Sequence, residues 1–201
     1  MDRARQFLRL SGYCFGMTVL GCVLLRPGDV LSHDGLSFYG NFRQTFPLYA
    51  LGLGATAYFL LRAAGALAGG WQVWRFCRGL EAIAVALLGI IVTPSFSGVW
   101  LVQDLHVLFG LAIFVTQALL SLGYLRAAPG DGWQRLLLGL QLLAIVLVSL
   151  SFRTVGLLDL MLPAQVLAIA AFGGLLRRAV TVAPRLPALK SVSEVTSVTE
   201  L

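Results

Sequence analysis

Apolar residues along this chain fall into six long runs that are separated by short polar connections. Each run approaches the length of about 20 apolar residues that a helix needs to cross the hydrocarbon core of a bilayer. The pattern therefore predicts six transmembrane helices. Their expected bounds are about 8–25, 47–67, 79–96, 105–125, 133–152 and 156–176.

Two local signals refine the first of these helices. Pro27 has no backbone N–H to donate, so the helix is expected to stop just before it, at Leu25. Basic residues precede the apolar run, as they do in signal peptides, but no small-residue cleavage site follows it. The segment is therefore predicted to be a retained helix.

Composition favours a membrane protein over a soluble one. Hydrophobic residues make up 58% of the chain and charged residues only 12%, whereas soluble domains are about 25% charged. A soluble fold would have to bury nearly all of this apolar surface, but a bilayer covers it from outside. We expect an all-α, polytopic membrane bundle of six transmembrane helices in residues 1–185. The Ser-, Val-, Thr- and Glu-rich stretch 186–201 is predicted to be a disordered cytoplasmic tail.

The basic residues predict the orientation of this bundle. When the six runs are threaded alternately through a membrane, only Arg26, Arg43 and Arg153 of the 15 Lys and Arg residues fall on one side. The other side receives Arg3, Arg5, Arg9, Arg62, Arg75, Arg78, Arg126, Arg135, Arg177, Arg178, Arg185 and Lys190. Short loops rich in Lys and Arg stay in the cytoplasm. Both chain termini are therefore predicted to be cytoplasmic.

The same residues account for the net charge of +6. Near a membrane surface, each basic residue gains about 1 kcal/mol from anionic lipid. The chain offers no separate domain for nucleic acid, so no nucleic-acid partner is expected. It has no C-x-x-C motif and no metal-ligand spacing, so neither a metal nor another cofactor is predicted. A composition high in Leu, Ala, Gly and Arg, with a single Lys, favours a multi-pass protein of a bacterial inner membrane.

Both histidines fall on the outer side, together with several acidic residues. The longest connection, between Arg26 and Phe46, alternates polar and aromatic residues, which suits a segment that lies in the headgroup zone as a cap over the bundle. Two further outer elements follow, one at the start of the fourth helix and one before the sixth. The predicted ligand-binding residues are His33, Asp34, Asp104, His106, Arg153 and Asp159.

Asp104 and His106 have the clearest expected roles. Asp104 is predicted to cap the fourth helix, where a carboxylate can accept free backbone N–H groups. His106 lies about one turn deeper among apolar residues, and polar residues at that depth usually face the bundle interior or a cavity. Its ring is expected either to bond a carboxylate such as Asp34 or Asp159, or to bind a ligand. Deeper still, Gln117 and Gln141 are expected to bond to each other.

Two stretches carry a family resemblance: Leu31-Ser32-His33-Asp34-Gly35 in the first outer loop and Asp104-Leu105-His106 at the fourth helix. With six helices and cytoplasmic termini, the chain resembles the Frag1/DRAM/Sfk1 superfamily and the bacterial DUF998-type membrane proteins. His33 is inserted between the serine and the aspartate of the first stretch. The resemblance implies a lipid-related role. By position, Asp34 and His106 match the aspartate and the histidine of the family's two stretches.

Two functions are therefore open. The first is a non-enzymatic protein that binds membrane lipid, or a membrane-protein partner or second copy, through an outward-facing polar pocket. The second is an integral membrane enzyme acting on a lipid headgroup, with His106 as general base oriented by Asp34 or Asp104. No nucleophile motif accompanies these three candidates, so no catalytic residue is assigned and the first function is favoured.

Overall fold

A computed structural model describes residues 2–31, 35–67, 71–95, 97–127, 132–153 and 160–182 of the chain. Within these ranges all regular structure is helical, and no β-strand occurs. The all-α class predicted from the sequence is confirmed. A 3₁₀ turn, Pro27–Asp29, lies between the first two helices. The helices are α1 Asp2–Leu25, α2 Leu36–Tyr39, α3 Phe46–Leu67, α4 Trp71–Val92, α5 Trp100–Ala127, α6 Gly132–Arg153 and α7 Met161–Val182.

Six of these helices are long, and they correspond to the six predicted apolar runs. Three stretches among the described residues are long and apolar enough to cross a membrane: Asp2–Leu25, Phe46–Leu67 and Trp100–Leu125. Exposed apolar side chains on these helices support the same conclusion: Leu51 and Trp100 are 75% and 72% exposed to solvent. Soluble monomers seldom show large exposed apolar patches, whereas lipid covers such a surface.

The helix ends differ from the predicted ones where polar residues occupy a helix. α4 begins at Trp71 rather than Gly79, because a helix needs no apolar side chain to continue through its first turns. Arg78 and Glu81 stabilise this polar part with an ion pair of 2.9 Å one turn apart. α4 also ends at Val92, before the predicted 96, because Pro94 disfavours helical geometry in the residue that precedes it.

The start of α5 also departs from the prediction. The helix begins at Trp100, so Asp104 lies inside it and is not its cap. The turn before the helix is held instead by Ser97, whose hydroxyl accepts the Val99 N–H at 3.2 Å and donates to the Val99 carbonyl at 3.0 Å. The prediction that Asp104 caps this helix is therefore wrong, because Ser97 and Gly98, with a φ of 69°, set the turn several residues earlier.

The last helix runs further than expected. α7 extends from Met161 to Val182, beyond the predicted end at 176, because Arg177 and Arg178 continue the helix at its polar end. The predicted start at 156 and the predicted tail 186–201 lie outside the described residues.

Neighbouring long helices pack against each other in chain order. α1 packs most extensively on α3, α3 on α4 and α4 on α5, while α6 and α7 form a hairpin that contacts α5 less. The segment from Arg26 to Thr45, which contains α2, joins α1 to α3. It lies at the end of the bundle where α1 and α4 finish and where α5 and α7 begin. We call this the loop end.

Basic side chains gather at the opposite end of the bundle. There the guanidinium of Arg62 lies 5.4 Å from the ring of Phe7, so α3 finishes where α1 starts. Gln134 of α6 donates to the Tyr124 hydroxyl of α5 at 2.7 Å in the same region. We call this the basic end. Both the first and the last described residues of the chain belong to it.

Candidate functional site

The predicted site residues divide into three groups. His33, Asp34 and Asp159 lie outside the described residues. Arg153 is the last residue of α6, and its side chain is also outside the description. Asp104 and His106 both lie in the first turns of α5, at the loop end.

Asp104 and His106 have different surroundings. Asp104 is exposed, whereas His106 is only 9% exposed. Residues two positions apart on a helix do not face each other, and this spacing aims Asp104 outward while the imidazole enters the bundle. Asp104 is therefore badly placed to orient the ring of His106.

Hydrogen bonds hold the ring of His106 from both sides, and the backbone of Ile90 on α4 is one of its partners. Its Nδ1 contacts the carbonyl oxygen of Thr93, just beyond the end of α4. Its Nε2 lies 2.8 Å from the hydroxyl oxygen of Ser37 on α2. A carbonyl can only accept, so Nδ1 carries the hydrogen in the neutral ring and Nε2 presents its lone pair. The Ser37 hydroxyl therefore donates to Nε2. Among the described residues, the partners of His106 are backbone groups of α4 and its end and the Ser37 hydroxyl. The two carboxylates predicted as partners, Asp34 and Asp159, lie outside the described residues.

Ser37 is brought to His106 by the geometry of α2. Gly35, which precedes this short helix, has a φ of 63° and a ψ of −147°, a conformation that side chains disfavour. The next N–H, of Leu36, donates to Oε1 of Gln165 on α7 at 2.9 Å. The hydroxyl of Tyr49, a buried residue of α3, lies beside Ser37. Contacts from two other helices thus fix where Ser37 lies.

Asn41 ties the same loop to the connection between α4 and α5. Its side-chain amide donates to the carbonyls of Ser37 and Phe38, both at 3.2 Å. It also donates to the hydroxyl of Ser95 at 3.0 Å. Asn41 thus links the loop that carries Ser37 to the connection that carries Thr93, two residues before Ser95.

The same connection between α1 and α3 also carries charged and aromatic side chains. Arg26 pairs with Asp29, and its guanidinium lies 3.3 Å from the centre of the Phe42 ring. Arg43 is exposed nearby in the chain. Tyr39 is fully buried and donates to the Arg26 carbonyl at 3.3 Å. Burial raises the pKa of the Tyr39 hydroxyl and Asp29 raises it further, so this donor stays protonated at neutral pH.

Sequence reasoning missed Ser37, Thr93 and Asn41. All three are common small polar residues: Ser37 and Asn41 lie in the connection between the first two runs, and Thr93 lies near the end of the third. Nothing in their spacing relates them to His106. The available signal was weak: the hydroxyl side chain of Ser37 stands between two apolar residues, Leu36 and Phe38.

A separate cleft of about 760 Å³ opens at the basic end, between α1 and α3. It is far from His106, and its size alone does not make it the site, since it is shallow and open to solvent. The cleft is lined by Asp2, Arg3, Leu61, Arg62, Gly65 and Ala66.

Within the described ranges, no three His, Cys, Asp or Glu side chains lie together as metal ligands.

No family model, no curated protein and no solved structure matches this chain. Fold and site therefore define its class by themselves. In the part of the chain that the structure describes, it is an all-helical protein with helices able to span a membrane, and it carries a buried histidine bonded to a partly buried serine at one end of the bundle.

Proposed function

We propose that this chain is a six-span integral membrane protein with cytoplasmic termini that binds a lipid headgroup, or a membrane partner, at its outer, loop end. The observation that carries the proposal is the clustering of polar groups there: Ser37, Asn41 and His106 converge at one end of helices whose flanks are apolar. The family resemblance supports a lipid-related role.

The charges at the loop end suggest which headgroup fits. The sequence assigns both acidic and basic residues to the predicted outer side: Asp29, Asp34, Asp104 and Asp159, and Arg26, Arg43 and Arg153. A zwitterionic headgroup complements such a surface, because its ammonium can meet a carboxylate while its phosphate meets a guanidinium. The charged residues of the basic end are mainly arginines, which suits the cytoplasmic leaflet with its anionic lipids.

Native mass spectrometry of the protein in mild detergent tests lipid binding. We expect the wild type to retain phosphatidylethanolamine, and an Asp34→Ala, Asp104→Ala double variant to retain at least about tenfold less, the equivalent of one lost charged contact of about 1.4 kcal/mol. The matched control is Glu81→Ala, which removes an acid at the basic end. Equal retention by all three proteins would refute binding at the loop end.

Cysteine labelling in intact cells tests the topology. The three native cysteines, Cys14, Cys22 and Cys77, are first replaced by alanine. We then expect a cysteine at position 104 to react with a membrane-impermeant maleimide from outside, and a cysteine at Arg75 to react only after the cells are permeabilised, because basic loops stay inside. The reverse pattern would invert the proposed orientation.

A further inference from the structure

We propose that Ser37 and His106 are a nucleophile and its general base, and that the loop end cleaves an acyl ester of a membrane lipid. This inference rests on the proposed lipid binding and deepens it. Hydroxyl nucleophiles are weak until a neighbouring base takes their proton, and the diagnostic arrangement is a hydroxyl within hydrogen-bonding reach of a base that a third group orients.

The geometry supplies all three parts. Ser37 Oγ lies 2.8 Å from His106 Nε2, within the usual range for proton transfer. The Thr93 carbonyl accepts from Nδ1 and so plays the orienting part that a carboxylate has in other serine enzymes. It fixes the tautomer that leaves Nε2 free to act as a base. The ring is buried, whereas Ser37 is only partly buried and so remains open to a reactant.

Depth in the membrane selects the bond that is cleaved. Trp100 begins α5 and is exposed, as expected for a residue of the aromatic belt at headgroup level. His106 follows six residues later, about 9 Å deeper at 1.5 Å per residue. The headgroup zone is about 5–8 Å thick on each side of the hydrocarbon core. The pair therefore lies at or just below the inner edge of that zone, within reach of the ester carbonyls of a glycerolipid, which lie below its phosphate.

The reaction would run in two balanced steps. Ser37 Oγ bonds to the ester carbonyl carbon while His106 Nε2 takes the hydroxyl proton. The bond to the lipid alcohol then breaks, and Nε2 returns the proton to that alcohol, which leaves an acyl group on Ser37. Water attacks the acyl group with Nε2 again as base. A carboxylic acid departs, and Ser37 recovers its proton.

A fluorophosphonate probe tests the pair on the full-length protein in detergent, because the probe bonds to activated serines with loss of fluoride. We expect peptide mass spectrometry to locate the adduct on Ser37. Ser37→Ala should abolish it, and His106→Asn should slow it by about 10²–10⁴-fold, the usual contribution of a general base. Asparagine can still donate to the Thr93 carbonyl, so this variant keeps the fold but has no base.

The control is Ser97→Ala, which removes a hydroxyl of the same end whose hydrogen bonds among the described residues are to Val99. It should label like the wild type. A folded wild type that takes up no probe at Ser37, or labels equally fast with His106→Asn, would overturn the proposal. Lipid retained without labelling would contradict the catalytic pair but would still support lipid binding. Labelling without retained lipid would support the pair and remove the proposed binding function.

Discussion

Gly52→Ala should destabilise the protein by about 1–3 kcal/mol, the usual cost of forcing a methyl group into a packed interior. Gly52 lies where α3 crosses α1. A Cβ there would come 2.8 Å from Cβ of Thr18 and closer still to its hydroxyl. Thr18 is buried, with its hydroxyl bonded to the Cys14 carbonyl at 2.7 Å. No rotation of Thr18 moves its Cβ, so the two helices must separate. Thermal unfolding in detergent measures the loss.

Gly54→Ala is the matched control for this effect. It lies one half-turn away on the same helix, and a Cβ there would meet nothing within 4 Å. Alanine favours a helix over glycine by up to about 1 kcal/mol, so this variant should be unchanged or slightly more stable. Adding Thr18→Gly to Gly52→Ala should recover stability by at least about 1 kcal/mol relative to additivity. Equal melting temperatures for both alanine variants would show that the crossing is not close.

Gly35→Ala should cost at least about 2 kcal/mol and should also disable the loop end. Its backbone conformation suits glycine alone, and a Cβ would come 2.5 Å from Oε1 of Gln165 and 2.6 Å from Cγ of Met161. Oε1 of Gln165 cannot withdraw without breaking the bond that it accepts from Leu36 N–H. Because Leu36 precedes Ser37, the hydroxyl should move away from His106. We expect both thermal stability and probe uptake at Ser37 to fall.

Alanine variants of two other glycines distinguish backbone strain from the contact with Gln165 as the cause of that loss. Gly98 also has a positive φ, of 69°, but a Cβ there meets nothing within 4 Å, so Gly98→Ala should cost only the backbone strain of about 1–2 kcal/mol. Gly28 has neither feature, and Gly28→Ala should be close to neutral. If Gly98→Ala cost as much as Gly35→Ala and also stopped labelling, the contact with Gln165 would not be what positions Ser37.

Much of the fold follows from local pattern. Long apolar runs predict helices because a helix satisfies its own backbone hydrogen bonds, and Pro27 predicted the end of α1 correctly at Leu25. The misplaced ends have a shared cause. The predicted bounds followed hydrophobicity, whereas a helix continues through polar residues such as Arg75 until a proline or a turn stops it.

Pairings between distant residues were much harder to predict. Gln141 was expected to bond Gln117, but its Oε1 accepts from the Ser121 hydroxyl at 2.7 Å, one turn further along α5. Among the described residues, Oε1 of Gln117 and Nε2 of Gln141 have no hydrogen-bond partner. Periodicity places these residues on facing helices, but a rotation of a few tens of degrees decides which of two polar groups one turn apart is reached.

By itself, the sequence determined the helical class, the six long helices, the asymmetry of charge between the two ends, and the burial of His106, because each depends on residues close together in the chain. Only the tertiary structure decided what His106 meets. Ser37 is 69 positions away, and it reaches the ring because Gly35 turns the chain and Gln165 holds Leu36 against α7. Such a contact depends on how a connecting loop folds over packed helices, so it cannot be predicted from a local pattern of residues.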